Sequence, residues 1–359
     1  MGAATFLFGF RVDHPGLVLL IKHLTFRKGC ALKTYNWGLI GSGTISNLFA
    51  EGLSSLEQAS TYAIGSRSQT TADAFAEKWG VNKAYPSYAA LYADPDVDIV
   101  YVGTPHNYHF QNVSDALNAG KHVLCEKPMT LNAKEARDLV KLARSKNLFL
   151  MDAMWNRFQP WYAIVQKMIE DGVLGELLHF KSDLSFRFDV GNDHRIYNKD
   201  LAGGALLDLG VYPIALASLF FGKPKEILSL SHLYETGVDD QVSMLFKYAG
   251  GMTAELGCSS RFLSKNNATL HGSKGFIELH SMIIRPEQLT FHEQGKDPQV
   301  IETPYTSNGY QYEAQAVMDM LDQGKIEHPL MPLDETIEIM ETMDQIRSQA
   351  GVIYPEELI

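Results

Sequence analysis

Cysteine is scarce. Three thiols, Cys30, Cys125 and Cys258, are spread over 359 residues. They are far apart and match no metal or disulfide spacing, so free thiols in a reducing, cytoplasmic setting are expected. Basic residues are outnumbered, 31 Lys and Arg against 42 Asp and Glu, leaving a net charge of −11. That balance excludes nucleic acid and anionic membrane surfaces as natural partners. No run approaches the roughly 18 consecutive apolar residues of a membrane span. Internal repeats and low-complexity tracts are absent too. "TFLFGF" and "LVLLI" near the start are separated by Arg11, Asp13, His14 and Pro15. A secretory signal needs basic residues first and then one unbroken apolar stretch. Residues 1–34 are therefore expected to be a peripheral extension, with an amphipathic or targeting role as the alternative. The rest, 45% apolar and 20% charged, has the composition and length of a soluble chain with two sizeable cores.

From Tyr35 the pattern is regular. "YNWGLI" (35–40), "TYAIGS" (61–66), "VDIVYVGTP" (97–105), "HVLCEKP" (122–128) and "LFLMDAM" (148–154) have the texture of buried strands. Helical stretches lie between them, stopped by Gly80 and Gly120, and one begins at Asn132 with Glu135 three residues later, as in a capping box. This alternation predicts a doubly wound parallel sheet over 35–155. Beyond Trp155 the texture changes to one helix near 161–171 and then many short strands joined by Gly- or Asn-containing turns. An open, mostly antiparallel sheet is expected within a second α/β domain, 156–359. Two helices follow, near 309–323 and 334–349. The last of them is expected to be able to pack back on the first domain.

Five stretches carry chemistry. In "GLIGSGTIS" (38–46), Gly41 and Gly43 allow a tight turn and a close approach of a pyrophosphate to a helix N-terminus, with Ser46 where a third glycine would stand. The alternative is an ordinary glycine turn. The second strand ends in "AIGSRSQ", and no acid occurs between Glu57 and Asp73. Ser66 and Arg67 suit a 2′-phosphate, so NADP is favoured over NAD. Arg67 could equally be a solvated loop charge. In "GTPHNYH" (103–109), Thr104 and Pro105 should line the crevice, while His106 and His109 lack the acidic or cysteine partners of a metal site. Lys127, at the carboxyl end of its strand, could bridge a substrate hydroxyl and the cofactor ribose, or simply pair with Glu126. In "LAGGALLDLGVYPIALASLFFG" (201–222), Asp208 and Tyr212 interrupt an apolar helix at spacing i, i+4 and share one face. Pro213 frees the carbonyl of Leu209 and suggests a distortion beside them. A structural Asp–Tyr pair is the competing reading.

Together with "AGKHVLCEKP", "MWNRFQP" and "AGGALLDLGVYP", these motifs resemble the glucose–fructose oxidoreductase/inositol dehydrogenase (Gfo/Idh/MocA) family. The likeness covers nearly all of 35–359 and is strongest to the dimeric dihydrodiol dehydrogenase and NADP-dependent xylose dehydrogenase branch. It implies a Rossmann domain followed by an α/β domain whose open sheet forms a homodimer or higher oligomer. It also implies a cis peptide at Lys127–Pro128 and Tyr212 as the acid/base. The combined candidate set is Lys127, Asp208 and Tyr212 for catalysis, with Phe158 and Arg195 added for substrate. For the cofactor it is Gly41, Gly43, Thr44, Ile45, Ser66, Arg67, Thr104, Pro105, His109, Glu126, Lys127, Trp155 and Arg157. The implied activity is NAD(P)-dependent hydride transfer to or from a small neutral polyol, aldose or trans-diol. Alternatives are a reductase of a keto- or anhydro-sugar, or a non-catalytic NADP-dependent sugar-pathway regulator. Free tyrosine has a pKa of about 10, and a nearby Lys127 ammonium is expected to favour the phenolate.

Overall fold

Runs of apolar residues with no polar alternation bury both faces of a strand, and such strands build a parallel sheet covered by helices. In the computed structural model, which describes residues 33–358, the first sheet follows this rule. Residues 1–32, with Cys30 and nearly all of the expected extension, lie outside the described residues, as does Ile359.

The first sheet has six parallel strands: β1 (Tyr35–Ile40), β2 (Ala59–Gly65), β3 (Lys83–Tyr85), β4 (Ile99–Val102), β5 (His122–Glu126) and β6 (Leu150–Ala153). Their order is β3-β2-β1-β4-β5-β6. The order reverses between β1 and β4, which is where open α/β sheets bind ligands. Helices α1 (Thr44–Leu53), α2 (Gln69–Trp79), α3 (Tyr88–Tyr92), α4 (His109–Asn118) and α5 (Ala133–Lys146) connect the strands. Trp37 and Tyr101 are fully buried, and Phe49 of α1 stacks on Tyr101 at 3.8 Å between ring centroids. The Asn132 side chain caps α5 by accepting from Glu135 N at 2.9 Å. The return bond goes one residue further back than a capping box would have it, from Leu131 N to Glu135 Oε2 at 3.1 Å.

After α6 (Pro160–Glu170), the strand β7 (Leu177–Ser185) leads to helix α7 (Val211–Phe221). Then come β8 (Glu226–Leu233), β9 (Asp239–Lys247), β10 (Thr253–Ser259), β11 (Ala268–Gly272), β12 (Gly275–Leu279), β13 (Gln288–Glu293) and β14 (Gln299–Glu302). They form an eight-stranded sheet in the order β14-β13-β12-β11-β7-β10-β9-β8. Only β7 and β10 pair in parallel; the remaining neighbours are antiparallel. The apolar stretch 199–221 has the length and mean hydropathy, 1.7, of a membrane span, but 78% of it is buried inside the protein. It is a core segment packed on β7, β9 and β10 of the second sheet.

The last helices, α8 (Tyr310–Asp322) and α9 (Leu333–Ala350), return to the first sheet. Tyr35 Oη donates to Asp322 at 2.7 Å, and Ala133 N donates to Asp344 at 2.9 Å. Buried Arg347 donates to the carbonyl of Leu131 at 3.0 Å while pairing with Asp344 and Glu357. A cut after residue 155 would therefore divide hydrogen-bonded surfaces.

Candidate active site

The glycine loop is shaped for close backbone approach. Gly41 has φ +85°, and a Cβ there would lie 2.8 Å from the carbonyl of Gly103. A Cβ on Gly43 would meet nothing within 4 Å, so the outer side of the loop is open. No side chain caps the α1 N-terminus, which leaves its N–H groups facing that space. This cradle fits a pyrophosphate. Ser46 occupies the third glycine position because Gly103 makes room for it: a Cβ on Gly103 would come within 2.4 Å of Ser46 Oγ. Thr44 is exposed and Ile45 half-buried at the start of α1.

At the end of β2, Ser66 Oγ lies 2.6 Å from Thr71 Oγ1 and 3.3 Å from Ser42 Oγ. Arg67 beside them is exposed. Three hydroxyls and a guanidinium therefore stand where a ribose-binding carboxylate would otherwise be.

The carboxyl ends of β4, β5 and β6 bring the next group together. Thr104 is buried and bonded by Asn112 Nδ2 at 3.0 Å, while Pro105 is exposed. The Lys127–Pro128 peptide is cis. Lys127 Nζ donates to the backbone carbonyl of Asp208 at 2.7 Å and lies 3.4 Å from its carboxylate. It also sits 4.7 Å from the centroid of the Tyr212 ring. Asp208 lies in a π-helical turn, Leu206–Gly210, that runs directly into α7. This is the distortion expected near Pro213. Arg195 grips Asp208 with two parallel hydrogen bonds of 3.0 Å. Gly203 makes that grip possible, because a Cβ there would strike the carbonyls of Arg195, Ile196 and Asn198 at 2.5–2.9 Å. Burial alone would push the Asp208 carboxyl up, but Lys127 and Arg195 outweigh it and hold Asp208 well below the usual carboxylate range.

Tyr212 is buried, and its hydroxyl accepts a 2.9 Å hydrogen bond from Trp155 Nε1. Trp155 stacks in turn on Tyr310, with ring centroids 4.5 Å apart. The phenol does not have the lowered pKa expected for it. Burial, then the charges of Tyr310 and Glu126, push it well above the ordinary tyrosine value. Lys127 does not counter this, because its ammonium lies over the ring face and is taken up by Asp208. Glu126 is buried and accepts a short hydrogen bond from Tyr101 Oη.

Two expected cofactor residues are placed differently. Arg157 does not face the crevice. It is fully buried, donates to the carbonyls of Leu330 and Ala215, and pairs with Glu335 at 2.8 Å. Removing one partner of a buried ion pair typically costs about 3–5 kcal/mol. Arg157→Met should therefore lower Tm by roughly 5–10 °C with nucleotide affinity unchanged. Calorimetry and a binding titration on the same protein check both halves. His109 is also withdrawn from the crevice. Its ring lies between the carbonyls of Thr104, at 2.7 Å, and Pro128, at 2.9 Å; burial pushes its pKa down, and the neutral ring has one N–H to donate to one of them. Phe158 is half-buried and packs edge-on against His328, with centroids 5.0 Å apart.

Sequence reasoning weighed His106 only as a metal ligand and passed over Tyr101, Tyr310 and Glu313. His106 packs beside His109, and burial pushes it down to about 3. Glu313 falls on the buried stripe of α8 with Tyr310, Ala314 and Val317. Helical spacing alone could have flagged a carboxyl in that position.

Both halves of the chain match known proteins. The family model for an oxidoreductase family with an NAD-binding Rossmann fold, GFO/IDH/MocA, matches residues 35–153. The model for the GFO/IDH/MocA C-terminal domain matches residues 162–278. Trans-1,2-dihydrobenzene-1,2-diol dehydrogenase of Mus musculus is 37% identical over 330 residues, covering 89% of this chain and 98% of that protein. The Homo sapiens enzyme of the same name is 35% identical with the same coverage. Among solved structures, KijD10, a 3-ketoreductase from Actinomadura kijaniata in complex with NADP and TDP-benzene, has a TM-score of 0.80 at 28% identity. That match covers 88% of this chain and 98% of that one. Levoglucosan dehydrogenase, at 19% identity and a TM-score of 0.82, shares the fold.

Proposed function

The chain belongs to the Gfo/Idh/MocA family of NAD(P)-binding oxidoreductases, and from that premise we propose that it is an NADP-preferring dehydrogenase. Its substrate is a small neutral polyol, aldose or trans-diol, and Tyr212 is the acid/base. The observation that carries this reading is the convergence of Lys127, Asp208 and Tyr212 at the carboxyl ends of β5 and the π-helical turn. The bound nicotinamide supplies the hydride chemistry. Tyr212 Oη exchanges the proton of the reacting hydroxyl, and Trp155 Nε1 orients that oxygen. Lys127 steadies the reacting oxygen from the side anchored by Asp208. Arg195, its side chain 49% exposed, stands beside Asp208 where a second substrate hydroxyl can reach it. Asp208 offsets one of the two cations, Lys127 and Arg195, and the buried carboxyl of Glu126 acts on both, which favours a neutral substrate.

A phenol held neutral by burial is poised to give a proton rather than take one. That favours carbonyl reduction as a second reading, with a keto-sugar as substrate and the same residues in reverse. The name of KijD10, a 3-ketoreductase, points the same way. Initial rates in both directions separate the two readings.

NADP preference rests on Ser66, Thr71, Ser42 and Arg67. A charge-assisted hydrogen bond is worth about 1.5–3 kcal/mol. At about 1.4 kcal/mol per tenfold, kcat/KM should favour NADP over NAD by roughly 10- to 150-fold. Arg67→Ala should erase most of that ratio by weakening NADP alone. Ser66→Asp should reverse it, by repelling the phosphate and offering an acceptor to the NAD ribose. An unchanged ratio in Arg67→Ala would make Arg67 a bystander.

The reading includes assembly through the open sheet, whose outer face carries Leu228, Leu230 and Leu245 at 69%, 82% and 57% exposure. Apolar groups this exposed on one sheet face suit a second copy of the chain. A cytoplasmic setting accords with the unpaired thiols of Cys125 and Cys258.

A further inference from the structure

The residues that follow α9 reach back behind the active site. Val352 and Tyr354 are buried, Tyr354 completely. The Arg347 guanidinium lies 5.2 Å from the Tyr354 ring centroid, and Tyr354 N donates to Glu357 Oε2 at 3.0 Å. Arg347 in turn donates to both oxygens of Glu357, at 2.7 and 2.8 Å. These bonds hold the ring in one setting. From it, Tyr354 Oη donates to the carbonyl of Gly203 at 2.7 Å.

That carbonyl belongs to the Gly203–Gly204 peptide. The N–H of the same peptide donates to the carbonyl of Ile196, next to Arg195, at 2.8 Å. The carbonyl of Gly204 accepts from Asp208 N at 3.3 Å. The two glycines therefore join both partners of the Arg195–Asp208 grip. They bring no stiffness of their own, because glycine has the widest backbone freedom. Gly204 has φ +130°, and a Cβ there would lie 2.6 Å from Asp239 Oδ1 and 3.2 Å from Tyr354 Oη. The angle of this peptide must be set from outside the turn. The Asp239 carboxylate fixes the helical side by accepting from Leu206 N at 2.6 Å. Tyr354 fixes the glycine side, and its hydroxyl also polarises the peptide and so strengthens the bond to Ile196.

The same segment supports the loop at a second point. Asn107, which follows β4, donates through Nδ2 to the carbonyl of Asp200 at 3.1 Å and to Glu356 Oε1 at 3.3 Å. Asp200 lies on the stretch that runs from Arg195 to Gly203.

We propose that Tyr354 is a positioning residue for substrate: it sets the Gly203–Gly204 peptide, and through it the Arg195–Asp208 pair that receives the second substrate hydroxyl, with Glu356 and Asn107 steadying the same loop. The inference rests on the role given to that pair above.

Hydrogen exchange on the full-length protein, read by mass spectrometry, needs no substrate. Tyr354→Phe removes one oxygen. It should speed exchange of the amides at 196–208 by roughly 2- to 12-fold, the range of one net hydrogen bond, and leave the Kd for NADPH unchanged. Unchanged exchange over 196–208 overturns the proposal. Kinetics with NADP⁺ and either D-xylose or trans-cyclohexane-1,2-diol supply the readout that a purely structural tyrosine would not move. Tyr354→Phe should raise the substrate KM by a similar factor with kcat little changed, and Arg195→Met should raise it further. In the Arg195→Met background the phenylalanine change should cost almost nothing more, because the pair it positions is already broken. Multiplicative losses in the double variant overturn the proposal. Asn107→Ala, which loosens the loop at Asp200, should show the same coupling to Arg195→Met at smaller size, and it decides the question if the phenylalanine variant does not fold. If neither substrate is oxidised, or Arg195→Met leaves KM unchanged, the substrate reading falls and this inference falls with it. If Arg195→Met raises KM and Tyr354→Phe acts independently of it, only the inference falls.

Discussion

Tyr212→Phe should lower kcat by about 10²-fold or more, the usual scale of a lost general acid–base. The change deletes one oxygen from a buried ring whose only hydrogen-bond donor is Trp155 Nε1. The ring itself still packs beneath the Lys127 ammonium. Folding and nucleotide affinity should therefore stay close to wild type, and the loss should appear in kcat in both directions. The pH profile carries the second signature. Burial holds the phenol pKa above its ordinary value, so the protonated form persists through neutral pH. Alcohol oxidation needs the deprotonated form and should climb with pH into the alkaline range; carbonyl reduction should decline over the same range. Tyr212→Phe should lose both slopes. Steady-state rates against pH, in each direction, make the comparison, and a phenylalanine variant with wild-type turnover would remove Tyr212 from the chemistry.

Lys127→Met should cost about 10²-fold or more as well, but for a different reason. The methionine keeps the apolar stem and removes the ammonium that donates to Asp208. Asp208 still has the two hydrogen bonds from Arg195, so the turn it sits on should hold. What goes is the cation beside the reacting oxygen. Lys127→Arg should restore little, because a planar fork does not fit a site shaped for a compact ammonium over a ring face. A circular dichroism melt near wild type alongside the lost rate separates this outcome from unfolding. Recovery of turnover in the arginine variant would mean that charge alone, without placement, is enough.

Much of this molecule was legible in its sequence. Alternating apolar strands and capped helices from Tyr35 onward define the first sheet, because buried parallel strands have no polar face to blur the pattern. The short edge strands β3 and β14 were not legible. Three or four residues at a sheet margin carry too little periodicity to stand out. The meeting of Lys127 with Asp208, 81 residues later, could be suspected from the residue types but not measured. The placement of Arg157 and His109 could not be read at all. An arginine between "MWN" and "FQP" looks the same whether it reaches a cofactor or the carbonyl of Leu330. The high phenol pKa was hidden for a related reason. Proximity of a lysine can be guessed, but not that its charge is already held by a carboxylate and a carbonyl on the far side.

The hydrogen bonds from the C-terminal helices to the first sheet bear on the order in which the chain is made. A ribosome that has released residues 35–153 has delivered all six strands of the nucleotide-binding half. It has not yet delivered Asp322, Asp344 or Arg347, which bond Tyr35, Ala133 and Leu131. Domains commonly fold as units from the N-terminus while synthesis proceeds. Here the first unit must wait, with part of its helical layer uncovered, until Arg347 has emerged. Its exposure to proteases and chaperones is then set by the time needed to translate the chain from Ala153 to Arg347.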